Sequence, residues 1–297
     1  MILCPSRCAY CSFVSYDFHS YGTVLPAYVE ALLQGWEDSR TLEGRRLQSF
    51  MGGGTPTVLT LAVWTDLERA DALYSFSALR EITVEAGRPD TITREKLRVL
   101  ADHGVDRISI NPQTMNQKTL DAVGRRHSVE QAEVALETAP EIGFDNINMD
   151  LILGLPGETQ EDVRRTMERI VRLKPDSLTI HTLAIKRASR LHEEEEAAAD
   201  LLAQADRMES MLRESAAAAA ALGMQPYYMY RQKNMAGNFE NVGYCLPGKE
   251  CLYNVEIMEE RQTIFALGAG AVTKVYYPEQ NRLERVPNVK NVEHYIS

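Results

Sequence analysis

Short apolar runs alternate with longer amphipathic runs along the first two thirds of the chain. The apolar runs have strand length and end in glycine, proline or polar residues; they cover residues 47–51, 81–85, 107–110, 146–152 and 177–181. Amphipathic patterns predict helices at residues 26–38, 60–74, 93–103, 129–142 and 159–173. Because this alternation favours parallel strands joined by helical crossovers, we expect functional residues at the C-terminal ends of the strands.

The pattern changes after Lys186. The acidic run 193–196 is typical of a solvated helix start, and residues 197–222 predict one long helix of high propensity. The sequence that follows is aromatic and irregular. We therefore predict a core of residues 1–187, followed over residues 188–297 by a helix and a small α+β region.

Composition and charge narrow the function classes. The chain has 297 residues and a formal net charge of −10, which disfavours non-specific binding to nucleic acid or anionic membranes. No apolar run approaches the roughly 20 residues that span a bilayer. The segment before Cys4 has neither the basic nor the apolar region of a secretory signal. We expect a cytoplasmic protein, in which clustered cysteines indicate metal or redox chemistry rather than disulfides.

Three of the five cysteines form the motif C-x3-C-x2-C at Cys4, Cys8 and Cys11. Three thiolates on one short loop can bind three irons of a 4Fe–4S cluster and leave the fourth iron free for a small molecule. A zinc site with His19 as fourth ligand is the alternative, although structural zinc ligands usually come as two pairs. The remaining cysteines, at 245 and 251, are too few for a second cluster and are interpreted as structural thiols.

The cysteine loop, followed by the aromatic Phe13, resembles that of the radical S-adenosylmethionine enzymes. The run Gly52-Gly53-Gly54-Thr55-Pro56 resembles their glycine motif, in which the missing Cβ lets backbone carbonyls approach the methionine amino group. More narrowly, the chain resembles the oxygen-independent coproporphyrinogen oxidase family, in particular its coproporphyrinogen dehydrogenase branch in Gram-positive bacteria. Residues 227–238 and 266–271 carry this narrower resemblance.

The resemblance implies a fold and a set of ligand-binding residues. The fold is α/β, a partial parallel (β/α)6-type TIM barrel with a truncated first strand and a small C-terminal α+β extension. A 4Fe–4S cluster is expected on the three cysteines of the loop. S-adenosylmethionine is expected beside Gly52, Gly53, Gly54, Thr55, Glu85, Gln113, Arg125, Asp150 and Ala184.

These assignments also suit the chemistry of the residues. Asp150 can accept hydrogen bonds from both ribose hydroxyls, and Arg125 can pair with the cofactor carboxylate. Glu85 and Gln113 offer polar partners to amino or hydroxyl groups. The alternatives are that Arg125 is a helix-terminal charge and that Gln113 caps a turn. Beyond the cluster and the cofactor, no catalytic residue is predicted.

The resemblance also implies a reaction. An electron from the reduced cluster, supplied by a flavodoxin or ferredoxin, cleaves S-adenosylmethionine to methionine and a 5′-deoxyadenosyl radical. The radical takes a propionate β-hydrogen from coproporphyrinogen III, and loss of carbon dioxide and one electron leaves a vinyl group. Two propionates react and give protoporphyrinogen IX in haem biosynthesis. A haem-binding or haem-delivering relative, with His181 as candidate ligand, and a radical tetrapyrrole methyltransferase are the alternatives.

A substrate with four carboxylates needs a local basic pocket in so acidic a chain. The candidates are Lys186, Arg187, Arg190, Arg231 and Lys233, although residues 186–190 also fit a solvated loop. The aromatic side chains that can stack on a macrocycle, or belong to a packed strand, are Tyr227, Tyr228 and Tyr230. His127 and His181 are interpreted as packing or hydrogen-bonding residues.

Overall fold

The computed structural model describes residues 3–11, 13–39, 48–59, 76–183, 201–231 and 239–297. The strands of these ranges are β1 (Leu3–Cys4), β2 (Tyr16–Asp17), β3 (Gln48–Met51), β4 (Glu81–Gly87), β5 (Arg107–Gln113), β6 (Ile147–Leu153), β7 (Ser177–Thr182), β8 (Gln225–Tyr230), β9 (Asn241–Cys245), β10 (Val272–Tyr277) and β11 (Arg282–Pro287). The helices are α1 (Phe18–Tyr21), α2 (Leu25–Asp38), α3 (Arg94–Asp102), α4 (Gln117–Ala122), α5 (Val129–Ile142), α6 (Gln160–Leu173), α7 (Leu201–Ala221), α8 (Leu252–Glu259) and α9 (Val292–Ile296).

Seven of these strands form one curled mixed sheet in the order β3-β4-β5-β6-β7-β9-β8. The five strands from β3 to β7 are parallel, and they are the five strands that the sequence predicts. At one edge the sheet continues into the C-terminal region, where β9 pairs antiparallel with β7 and β8 pairs antiparallel with β9. Only about ten residues separate β8 from β9, fewer than a parallel crossover needs.

Most predicted helices are confirmed, with ends shifted by at most four residues. The Thr93 side chain accepts a hydrogen bond from the first turn of α3, and Thr159 forms a capping box with Asp162 at the start of α6. The short helix α4 was not predicted, because six residues carry too little periodicity. The helix predicted at residues 60–74 lies outside the described residues.

The two faces of the parallel strands differ in polarity. One face presents apolar side chains such as Val84, Ile108 and Met149 to the layer of helices, and all three are fully buried. The other face carries polar side chains, and Arg107 Nη2 on β5 donates to Ser177 Oγ on β7 at 3.0 Å across the intervening β6. The sheet therefore curls around a polar interior, while its apolar core lies outside it.

Helix α8 connects the first and last strands of the sheet, because it packs against both β3 and β8. Tyr253 stacks on Phe50 of β3 with ring centroids 4.0 Å apart, and Asn254 Nδ2 donates to Tyr227 Oη at 2.9 Å. The backbone N–H of Leu252 donates to Glu81 Oε2 at 2.9 Å. Glu81 begins β4, whereas Phe50 is the third of the four residues of β3, so α8 contacts the sheet both at a strand start and close to a strand end.

No helix in the described part of the chain is both long and apolar enough to cross a membrane.

The loop after β6 contains a glutamate whose ionisation opposes folding. Burial raises the pKa of Glu158 to about 7, although Thr114 Oγ1 donates to its carboxylate. Because the pKa of Glu158 is higher in the folded than in the unfolded chain, the protonated side chain stabilises the fold. This contribution is lost as the pH rises through about 7. We expect Glu158→Gln to raise the free energy of unfolding by about 1–3 kcal/mol at pH 8 and little at pH 4.5. Urea unfolding at both pH values measures this.

The control for that substitution is Glu137→Gln, which changes an exposed glutamate on α5. This control is expected to leave the free energy of unfolding unchanged at both pH values. A gain for Glu158→Gln that is the same at pH 4.5 and pH 8 would contradict the assigned cause.

Candidate cluster and cofactor site

The cysteine loop is held against the C-terminal ends of the sheet strands. The backbone N–H of Thr55, just after β3, donates to the Leu3 carbonyl at 2.9 Å. The Thr55 hydroxyl lies 3.7 Å from Cys4 Sγ. On the opposite side, the N–H of Ala9 donates to the Val123 carbonyl at 3.0 Å. The loop therefore sits where the sequence predicts that functional residues gather.

Two arginines approach the same sulfur of this loop. Cys8 is buried, and its Sγ lies 3.9 Å from Arg88 Nη1 and 3.7 Å from Arg125 Nη1. Cys4 and Cys11 are partly exposed, and burial raises the pKa of both thiols. Binding of iron by these thiols must therefore release protons.

The loop suits a multi-iron cluster better than a single metal ion. Among the residues that the structure describes, no group of three or more His, Cys, Asp or Glu side chains surrounds one ion position. In a 4Fe–4S cluster each thiolate binds a different iron, so three sulfurs need not meet at one point. His19, the fourth ligand of the zinc alternative, lies exposed on α1.

The glycine run forms a close backbone approach to Glu85. The N–H of Gly53 donates to Glu85 Oε2 at 3.0 Å, and Gly53 has a φ of 104°, which favours glycine. A Cβ on Gly52 would lie 2.5 Å from the same carboxylate oxygen. Because Gly52 and Gly53 have no side chains, their backbone lies directly against the Glu85 carboxylate beside the cysteine loop.

Two carboxylates, on the strands β4 and β6 that flank β5, differ in ionisation. Burial raises the pKa of Glu85, and the nearby charge of Asp150 raises it further. Burial also opposes ionisation of Asp150, but the polar side chains of His181, Asn148 and Thr179 around it outweigh burial and lower the pKa. Asn148 Nδ2 donates to Asp150 Oδ1 at 2.7 Å. Asp150 is therefore held as an ionised acceptor of hydrogen bonds.

Gln113 and Arg125 carry buried polar atoms without partners. Gln113 ends β5 at a register shift, with a φ of 72° that is rare for a residue with a side chain, and its Oε1 accepts no hydrogen bond. Arg125 is 6% exposed, and its Nε is unpartnered. Gln113 Oε1 accepts no hydrogen bond from a turn, and Arg125 is buried although it follows the end of α4 closely. Both atoms are therefore able to hydrogen-bond to a bound ligand.

Residues 2–170 match the family model described as the Radical SAM superfamily. The chain belongs to the radical SAM superfamily. Membership implies a 4Fe–4S cluster and S-adenosylmethionine (SAM), and the loop, the glycine run and the unpartnered groups just described suit both.

Two curated relatives of this superfamily place the chain more closely. It is 40% identical over 301 residues to the oxygen-independent coproporphyrinogen-III oxidase-like protein HemZ of Bacillus subtilis, covering 98% of this chain and 59% of that protein. It is 31% identical to the heme chaperone HemW of Lactococcus lactis, covering 90% of this chain and 66% of the relative. The chain thus spans about three fifths to two thirds of the length of these relatives.

A solved radical SAM structure shows the same fold. Coproporphyrinogen III oxidase (HemN) from Escherichia coli matches all of this chain and 67% of its own, with a TM-score of 0.77 and 23% identity. The sheet of this chain is accordingly a radical SAM half-barrel, and the predicted fold class is confirmed.

Several residues at this radical SAM site were missed from sequence. Tyr10 lies between two of the cysteines, and its hydroxyl is 3.1 Å from Arg125 Nη1. Arg88 contacts the loop from the end of β4. Tyr10 could have been found as an aromatic beside a cysteine ligand, whereas nothing local distinguishes Arg88 from a surface arginine.

The aromatic residues of β8 face the polar interior of the half-barrel. Tyr230 Oη lies 3.1 Å from His181 Nδ1, and His181 Nε2 lies 3.8 Å from Asp150 Oδ2. Tyr228 stacks parallel to Tyr230 and covers Gly243, where any side chain would clash with its ring. The tyrosines therefore belong to a packed strand that also reaches the site.

Other predicted residues have plain structural positions or fall outside the described ranges. Burial, then Arg125 and Arg88, lower the pKa of His127 to about 3, so its ring is a neutral packing group. Arg231 is exposed and pairs with Glu240 at 3.0 Å. The residues that lie outside the described part of the chain are Ala184, Lys186, Arg187, Arg190 and Lys233.

The two remaining cysteines are buried away from the loop. Cys245 is 2% exposed and Cys251 is fully buried, with its Sγ 3.5 Å from Glu81 Oε1. Burial raises the pKa of each thiol to about 11, so both are protonated at neutral pH. These positions agree with their interpretation as structural thiols.

Proposed function

We propose that this chain is the radical SAM core of a coproporphyrinogen dehydrogenase. It converts two propionates of coproporphyrinogen III to the vinyl groups of protoporphyrinogen IX without oxygen. The observation that carries the proposal is the 40% identity to an oxygen-independent coproporphyrinogen-III oxidase-like protein along 98% of this chain. A cytoplasmic location and a division at residue 187 belong to the same proposal.

The proposed ligand sites use the residues that surround the cysteine loop. Cys4, Cys8 and Cys11 hold the cluster. When bound, the cluster and SAM supply a one-electron cleavage that yields a carbon radical able to abstract hydrogen. The residues around SAM are Gly52, Gly53, Gly54, Thr55, Glu85, Gln113, Arg125, Asp150 and Ala184.

Each of these side chains has a physical task. Arg125 pairs with the SAM carboxylate through the edge of its guanidinium that carries the unpartnered Nε. Because this edge is buried away from water, the interaction between the two charges is stronger. The Glu85 carboxylate and the backbone of the glycine run bind the SAM ammonium group. The ionised Asp150 accepts hydrogen bonds from the ribose hydroxyls through the oxygen that Asn148 does not occupy. The buried strand ends exclude water from the reacting groups.

The substrate lies in the polar interior beside this site. The paired side chains of His181 and Tyr230 adjoin Asp150, so they face whatever occupies the space next to the ribose. Arg231 offers only a charge already paired with Glu240. The basic pocket for the substrate carboxylates is therefore proposed on Lys186, Arg187, Arg190 and Lys233. The electron donor is proposed to be a flavodoxin or ferredoxin.

A haem chaperone is the second candidate, because a relative with 31% identity is a heme chaperone. Within the described residues, the haem-ligand candidates have other partners or are buried. Both ring nitrogens of His181 face protein groups, and Cys245 and Cys251 are hidden from solvent. These positions favour the dehydrogenase.

Anaerobic reconstitution with iron and sulfide, followed by SAM, dithionite and coproporphyrinogen III, tests the proposal. The expected products are 5′-deoxyadenosine, carbon dioxide and protoporphyrinogen IX, and none of them should form when SAM is omitted. Haem binding without release of the nucleoside would favour the chaperone and contradict the dehydrogenase. A methylated tetrapyrrole would instead support a radical methyltransferase.

A further inference from the structure

Arg88 is a buried arginine that the proposed function leaves without a role. It follows β4 directly and is 3% exposed. Its Nε lies 3.3 Å from Asp90 Oδ1, and its Nη2 is buried without a partner. Burying a guanidinium costs several kcal/mol unless the charge is paired and fully hydrogen-bonded. One carboxylate and an unsatisfied N–H do not meet that requirement.

The remaining contacts of Arg88 are to the cysteine loop. Its Nη1 donates to Ser6 Oγ at 2.7 Å and to the Ser6 carbonyl at 3.3 Å, and it lies 3.9 Å from Cys8 Sγ. Ser6 Oγ in turn lies 3.3 Å from the carbonyl of Gly124. Arg88 is thus a direct link between the end of β4 and the middle of the loop.

Two arginines place an excess of positive charge around Cys8. Arg88 and Arg125 bring two positive charges to within 4 Å of Cys8 Sγ. Asp90 offsets one of them, and no carboxylate of the described residues lies within ion-pair distance of Arg125. The excess positive charge favours an added electron on a cluster bonded to Cys8, because nearby charge and N–H···S contacts set cluster potentials.

We propose that Arg88 is a positioning residue for the cluster. It fixes the loop through Ser6 and, together with Arg125, raises the reduction potential of the cluster bonded to Cys8. The one electron involved comes from the external donor and resides on the cluster, so no bond at Arg88 changes. This inference rests on the cluster site that the proposed function assigns to the three cysteines.

Four reconstituted holoproteins test it: the unsubstituted chain, Arg88→Gln, Arg88→Lys and Ser6→Ala. The measurements are iron and sulfide per chain, the rate of iron loss to a chelator, and the midpoint potential from a dithionite titration followed by electron paramagnetic resonance. Arg88→Gln is expected to shift the midpoint to a more negative value and to speed iron loss. Ser6→Ala should speed iron loss at an unchanged midpoint, because the charge remains.

Arg88→Lys separates the two effects if Arg88→Gln fails to fold. Lysine keeps the charge but lacks the fork of N–H donors, so the midpoint should stay near that of the unsubstituted chain while iron loss is faster. Arg94→Gln, which removes an exposed charge paired with Glu141, is the matched control and should change neither property.

The outcomes that overturn the inference are distinct from those that overturn the cluster assignment. An Arg88→Gln midpoint equal to that of the unsubstituted chain, or an Arg88→Lys protein that keeps iron equally well, would refute the role of Arg88. An unsubstituted chain that takes up no 4Fe–4S cluster would refute the cluster assignment, and the role of Arg88 with it.

Discussion

Cys8→Ala is expected to remove the brown chromophore of the reconstituted protein and to reduce release of 5′-deoxyadenosine to background. Cys8 is the most buried thiol of the loop and the one that both Arg88 and Arg125 approach. Its loss leaves two thiolates for a cluster that needs three from this chain, and it leaves two guanidiniums facing an apolar methyl group. The visible absorption spectrum and an anaerobic nucleoside assay measure both losses.

The control for this substitution is Cys245→Ala. Cys245 is equally buried but lies on β9, far in sequence from the loop, and it should retain a full 4Fe–4S spectrum. A full spectrum in Cys8→Ala would refute the ligand assignment. Circular dichroism on both variants separates loss of the cluster from loss of the fold.

Asp150→Ala is expected to weaken SAM binding roughly 10- to 100-fold while the cluster stays intact. The estimate follows from losing hydrogen bonds to a charged acceptor, each worth about 1.5–3 kcal/mol. Asp150 is ionised and accepts a hydrogen bond from Asn148 on Oδ1, while Oδ2 lies 3.8 Å from His181 Nε2, beyond hydrogen-bond distance, and can accept from a ligand. Anaerobic equilibrium dialysis of labelled SAM against the reconstituted protein measures the affinity.

Asp150→Asn refines that result, because asparagine can still accept the hydrogen bond of Asn148 while losing the charge. Its affinity for SAM should fall between those of the unsubstituted chain and Asp150→Ala. Asp102→Ala removes an exposed carboxylate at the end of α3 and should bind SAM normally. Unchanged affinity in Asp150→Ala would count against the proposed ribose contact.

The five parallel strands could be predicted because each signal is local. Every one is a short apolar run closed by glycine, proline or polar residues, and Thr93 and Thr159 mark helix starts by their own hydrogen bonds. The order of the last two strands could not be predicted. No local sequence signal in β8 or β9 indicates that β9 lies between β7 and β8, because that order depends on pairing between strands that are distant in sequence.

The site shows the same division between local and long-range information. Cys4, Cys8, Cys11 and the glycine run have a spacing that any reader of the sequence can measure. The role of Arg88 depends on Ser6, 82 residues away, and no periodicity connects the two. Gln113 was a candidate by resemblance, but its left-handed backbone and orphaned amide oxygen become visible only in three dimensions.

The bridge that α8 makes between β3 and β8 has a mechanical consequence. The two edges of the sheet are joined through the Phe50–Tyr253 stack and the hydrogen bond from Asn254 to Tyr227. The Phe50 side of this joint lies against the site, because a Cβ on Gly52 would lie 2.5 Å from Glu85 Oε2 and 2.6 Å from Phe50 Cε1. Any movement of α8 relative to β3 would therefore be felt at Glu85, so the closure of the sheet and the shape of the site are mechanically coupled.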